Sequence, residues 1–82
     1  MSPKRASSNH VVTPVQIGAR LRLRRLELEL SLEQVAVRVG VKYQQVQKYE
    51  RGLHQMNMTM AQKMARALSV SVSYFVTKTT GS

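Results

Sequence analysis

At 82 residues the chain has room for one small domain, near the lower size at which a core holds together without staples. It has no cysteine, which excludes a disulfide framework and a Cys-based zinc site, and His10 and His54 lie far apart in the sequence with no partner at metal-ligand spacing. Thirteen Lys and Arg against four Glu, with no Asp, leave a net charge of +9, and that surplus points to a polyanionic partner such as nucleic acid.

Residues 1–12, MSPKRASSNHVV, are polar and show no sustained period. They read as a flexible basic arm, either a solvated tail or one whose Lys4 and Arg5 follow a phosphate backbone or enter a minor groove. Thr13-Pro14-Val15-Gln16 is a helix start. Threonine stands at the N-cap, proline at the first helical position and glutamine at the third, which makes a capping box. The helix runs to about Leu28, with Ile17, Leu21 and Leu28 as an inward stripe widened by Leu26 and Leu30. Leu21 to Leu30 also alternates at period two, like a strand. The cap, the strong helix formers and the absence of β-branched residues from Ala19 to Ser31 decide for helix. Arg20, Arg22, Arg24 and Arg25 cannot all be buried, so most are expected to face solvent or phosphate.

Ser31 caps a second helix, with Gln34 as its capping-box partner, and that helix ends at Val39-Gly40. A third begins near Lys42 or Tyr43 and ends at Arg51-Gly52, where Gly52 suits a left-handed cap. The stretch Leu32–Arg51 organises the chain. Ala36 lets one helix approach the other, Gly40 takes the positive φ of a tight turn, and Val46 packs back on Val35 and Ala36. This is the arrangement of a helix-turn-helix, whose second helix enters a DNA major groove. Asn57 caps a fourth helix, Met58–Leu68, with Ala61, Met64, Ala65 and Leu68 inward. Met56 and Met64 read as adaptable core filling and Met58 and Met60 as more exposed. Val70 to Val76 alternates like a strand, yet Ser71 can instead cap a short fifth helix. Residues 77–82 are expected to be disordered, which leaves 13–76 as the folded domain.

With Glu50-Arg51-Gly52 closing the third helix and Ala67-Leu-Ser-Val-Ser71 ending the fourth, the chain resembles the Xre/Cro family from about Ile17 to Val76. The resemblance implies an all-α, compact five-helix fold of the lambda-repressor type. YQQVQKYERG is similar to the recognition helix of short bacterial or phage regulators. Three positions depart from the family pattern. Leu32 stands where phage repressors carry a phosphate-binding glutamine. Glu29 replaces a glycine, so the turn into Leu30-Ser31 is expected to differ. Arg24 occupies an inward apolar position and must snorkel or face DNA or a partner.

The resemblance puts base contacts at Tyr43, Gln44 and Lys48, with Gln45 and Gln47 as secondary candidates. The chemistry agrees. A glutamine amide bonds adenine N6 and N7, and a lysine donates to guanine O6 or N7. Phosphate contacts are expected from Arg51, Lys42, Arg38, His54 and Gln55. The resemblance pairs Glu50 with Arg25 as a partly buried salt bridge between the third and first helices. A carboxylate facing DNA alone would be repelled, which favours this structural role.

A single domain reads only a few base pairs, so useful specificity implies a homodimer on a near-palindromic site. The family resemblance directs attention to Val72, Tyr74, Phe75 and Val76 for dimerisation, although Phe75 also suits the core and the stretch could pair as an edge strand. No catalytic constellation, glycine-rich phosphate loop or small-molecule site is evident, so the chain is not expected to be an enzyme. No apolar run approaches the ~20 residues of a membrane span, and no apolar signal core follows Arg5. The expectation is a cytoplasmic, nucleoid-associated DNA-binding transcription regulator without a cofactor, a repressor rather than an activator, since Glu33 alone supplies little of an acidic activating surface. The rival readings are an antitoxin that also represses its own operon, and a nonspecific nucleoid-associated binder.

Overall fold

The computed structural model describes residues 12–76, so the tail expected at 77–82 and all but the last residue of the arm expected at 1–12 lie outside the described residues. The described chain is all α: α1 (Pro14–Glu27), α2 (Leu32–Val39), α3 (Tyr43–Glu50), α4 (Met58–Ala67) and α5 (Ser73–Val76). Local chemistry starts most of these helices. Gln16 N–H donates to Thr13 Oγ1 at 3.1 Å while Thr13 N–H donates to Gln16 Oε1 at 2.9 Å. Ser31 and Gln34 form the same reciprocal pair at 3.0 and 2.8 Å, and Met60 N–H donates to Asn57 Oδ1 at 2.8 Å. Each cap satisfies donors that a helix start otherwise leaves to water, typically worth ~1 kcal/mol.

The helix ends share one solution. At α1, Leu30 N–H reaches back to Arg25 O (3.1 Å) and Glu29 N–H to Leu26 O (3.0 Å). At α3, Leu53 N–H reaches Lys48 O (2.9 Å) and Gly52 N–H reaches Tyr49 O (3.1 Å), and at α4, Val70 N–H reaches Ala65 O (3.0 Å) and Ser69 N–H reaches Arg66 O (3.3 Å). These are Schellman pairs, and each needs a left-handed residue at the turn. Gly52 supplies it at φ 75°, as Gly40 does after α2 at φ 79°. The other two ends use side-chain-bearing residues, Glu29 at φ 57° and Ser69 at φ 59°. The turn into Leu30-Ser31 therefore keeps the conformation a glycine would adopt, contrary to the expected difference. The back-bonds hold Glu29 there against a steric penalty of about 1–2 kcal/mol.

The core is the set Leu21, Val35, Ala36, Val39, Val46, Met64, Ala65, Leu68 and Phe75. Ile17, Leu28, Leu30, Leu32, Val41, Tyr49, Met56, Met60, Val70, Val72 and Tyr74 close over it. Two expectations are corrected. Leu26 is 47 % exposed and adds nothing to the α1 stripe, because at about 100° per residue it lies far around the helix from Leu21. Met60 packs on the core, whereas Met58 is exposed.

Residues Ser73–Val76 are helical rather than extended, with Phe75 N–H donating to Val72 O at 3.0 Å. Among the described residues there is no strand for an extended 70–76 to pair with, and a helical turn lets Val72 and Phe75 point inward together. Phe75, open in the sequence between a dimer contact and the core, is 1 % exposed and belongs to the core. No helix among the described residues is long and apolar enough to cross a membrane.

Candidate nucleic-acid interface

The inner face of α3 is committed to the fold. Val46 is fully buried, Tyr49 half-buried, and Glu50 at the last turn is buried with Arg25 of α1. Arg25 Nε donates to Glu50 Oε2 at 2.5 Å and Nη2 to Oε1 at 3.0 Å, a bidentate fork, while Nη1 donates to Leu30 O at 2.8 Å. A buried charge is tolerable only when paired and hydrogen-bonded in this way. One guanidinium thus joins α1, the α1–α2 turn and the end of α3.

A second lock went unread in the sequence. Gly18 lies against the last turn of α3 so closely that a Cβ there would sit 2.5 Å from the Glu50 carbonyl oxygen and 2.7 Å from its carbon. Gly52 repeats the device one residue beyond the Arg51 cap, where a Cβ would stand 2.7 Å from Val15 Cα. Two backbone approaches and one ion pair therefore fix α3 on α1. The available signal was a lone glycine inside a strong helical pattern, which costs roughly 1 kcal/mol against alanine and so implies a packing reason.

The outer face of α3 is different. Tyr43 (41 % exposed), Gln44, Gln47, Lys48 and Arg51 are exposed, and none has a side-chain hydrogen bond or ion pair to another described residue. Lys42 occupies the N-cap without a side-chain cap bond, and only its backbone carbonyl serves the first turn, accepting from Gln45 N–H at 2.9 Å. Gln45 sits at the flank, half-buried, with its Nε2 3.1 Å from Nδ1 of the exposed His54 in the loop after α3. Gln55 is exposed in the same loop. The structure thus gathers Lys42, Tyr43, Gln44, Gln47, Lys48 and Arg51 onto α3 and its ends, with His54 and Gln55 beside it.

Arg38 is placed otherwise. Its Nη1 donates to Ala67 O at 3.0 Å, at the end of α4. The arginines of α1 are also less solvated than expected: only Arg22 is exposed, Arg25 is buried, and Arg20 and Arg24 are half-buried on backbone carbonyls. Arg24, at its inward position, donates from Nε to Leu68 O at 2.9 Å and meets Glu27 at 3.3 Å. Leu32 is half-buried against the core, so the start of α2 presents an apolar packing residue.

The family model described as Helix-turn-helix, HTH_3, matches residues 21–75. The chain belongs to the HTH_3 family. This is the Xre-like group that the YERG ending and the turn spacing pointed to. A transcriptional regulator in the ATPase CF(0) region of Rhodospirillum rubrum is 44 % identical over 59 residues, covering 72 % of this chain and 55 % of that protein. An HTH-type transcriptional regulator of Sinorhizobium medicae is 36 % identical over 61 residues, covering 74 % and 44 %. The chain thus spans about half the length of these relatives. Among solved structures, the restriction-modification controller protein C.AhdI of Aeromonas hydrophila superposes with a TM-score of 0.73 at 31 % identity, over 76 % of this chain and 94 % of that one. The P22 c2 repressor, solved in complex with a synthetic operator, gives 0.71 at 26 % identity over 74 % and 92 %. The two curated relatives are described as transcriptional regulators.

Proposed function

We propose that this HTH_3 chain is a sequence-specific DNA-binding transcription regulator that acts as a repressor, binding a near-palindromic operator as a homodimer with α3 in the major groove. One observation carries the reading. The inner face of α3 is wholly engaged with α1 and the core, while its outer polar side chains have no partner among the described residues. Rigid backing with an uncommitted hydrogen-bonding face is what base-edge readout requires. The likeness to a repressor solved in complex with a synthetic operator supports DNA binding by this fold.

In this reading Tyr43, Gln44 and Lys48 contact bases, helped by Gln45 and Gln47. Gln44 is the adenine reader and Lys48 the guanine reader. Arg51, Lys42, Arg38, His54 and Gln55 hold phosphates and set register rather than sequence. Arg38 does so with the donors left after its bond to Ala67 O. Val76 and Tyr74, with the part of Val72 that its inward packing leaves accessible, carry the dimer contact, and blocking promoter access makes the protein a repressor.

The test is selection of bound duplexes from a random pool, followed by titration of the best site and a scrambled one at fixed salt. A two-fold symmetric site bound at least about 10³ times more tightly than scrambled DNA is expected. Equal affinity for both duplexes would overturn sequence-specific binding. A sedimentation mass that stays monomeric on the selected site would overturn the dimer.

A further inference from the structure

Arginines of α1 and α2 hold the far corner of the fold by its backbone. Arg24 donates to Leu68 O (2.9 Å), Arg38 to Ala67 O (3.0 Å) and Arg20 Nε to Tyr74 O (3.1 Å). The Arg20 guanidinium carbon also lies 4.5 Å from the centroid of the Tyr74 ring, and that ring meets Phe75 edge-to-face at 5.6 Å. The first two bonds close the negative end of α4, whose last carbonyls have no helical partner. The third is different in kind. It seizes α5, which has four residues and is too short to hold a helical conformation or a direction by itself.

The placement of these contacts on α1 matters. Gly18 and Arg25, which grip α3, are seven residues apart and fall on one face of the helix. Arg20 and Arg24, which grip α5 and the end of α4, fall on another, roughly 100–160° around the axis at about 100° per residue. A single rigid helix therefore carries the reading helix on one side and the C-terminal element on the other. We propose that Arg20 is a positioning residue for operator recognition: by clamping α5 to α1 it sets the distance between α3 and the dimer contact, and so the half-site separation that the dimer accepts. This rests on the dimeric reading above.

Arg20 touches no DNA in this account, so its loss should leave the reading of one half-site intact and change only the geometry between two. The test uses the full chain and a series of synthetic duplexes carrying two copies of the selected half-site, with the separation varied one base pair at a time, beside a duplex with one half-site. Wild type should prefer one separation over its neighbours by about tenfold or more. Arg20→Ala should bind the single half-site with unchanged affinity and still dimerise, while its preference among separations falls to about threefold or less. Arg20→Lys retains a cation over the Tyr74 ring and one donor, and should fall between the two; it carries the test should Arg20→Ala fail to fold. A sharp wild-type preference that both variants share overturns the clamp alone. A wild type that stays monomeric and shows no preferred separation overturns the dimeric reading and the clamp with it.

Discussion

Removing the Glu50 carboxylate should unfold much of the advantage that the Arg25 fork confers. Both residues are 9 % exposed, and without Glu50 the guanidinium keeps one described acceptor, Leu30 O, for its five N–H groups. Breaking one partner out of a buried pair typically costs 3–5 kcal/mol, chiefly because the remaining charge is stranded away from water. The residual Leu30 bond argues for the lower end, ~3 kcal/mol. A domain of this size has about 3–10 kcal/mol of total stability, and each kcal/mol moves its melting temperature by about 4–8 °C. Glu50→Ala should therefore lower the Tm by about 12–24 °C, measured by circular dichroism. Glu50→Gln keeps the shape and a neutral acceptor and should fall less. The loss should persist at high salt, since buried pairs are little screened, and pairing Arg25→Met with Glu50→Leu should recover much of it. A Tm unchanged within about 2 °C in Glu50→Ala, with only DNA affinity altered, would refute the structural role.

Three further outcomes follow from the geometry. Glu29→Gly relieves about 1–2 kcal/mol of left-handed strain at φ 57°, against about 0.4–1 kcal/mol of added unfolded-state entropy, so Tm should rise by a few degrees; Ser69→Gly should act alike and additively, and a fall in Tm in either would contradict the strain argument. Gly18→Ala forces α1 from the carbonyls of Tyr49 and Glu50, so thermal melts should show a loss of about 1–3 kcal/mol, and DNA titrations a weaker complex because α3 is displaced; a variant as stable as wild type would show that the helices have room to part. On the selected site, Gln44→Ala should leave Tm unchanged and erase about 1–3 kcal/mol of discrimination at one base pair, whereas Arg51→Ala should weaken all sequences alike and reduce the salt slope by about one.

Much of the fold was legible because its punctuation is chemical and local. Thr13 with Gln16, Ser31 with Gln34, and Asn57 each bond to backbone within three residues, and Gly40 and Gly52 take positive φ next to the helices they end. Such signals need no knowledge of distant chain. The alternation of residues 70–76 was ambiguous for the opposite reason: helix or strand there depends on whether a neighbouring strand exists and on where Phe75 finds its pocket. Glu29 misled because residue identity alone does not reveal that two back-bonds will hold a glutamate in a glycine conformation.

The arginines of α1 mark the boundary most clearly. The sequence by itself determined that they could not all be buried, that α3 would carry a polar face of Tyr43, Gln44, Gln47 and Lys48, and that Leu32–Arg51 would turn back on itself, because charge, periodicity and turn chemistry are properties of neighbouring residues. The resemblance already pairs Arg25 with Glu50, as the structure shows, whereas only the tertiary structure decided that Arg24 is spent on Leu68 O and Arg20 on Tyr74, and that Gly18 admits the backbone of α3. Those partners lie 25 to 54 residues away along the chain for the three arginines, and a long, many-donor side chain fits many acceptors until packing brings one within reach.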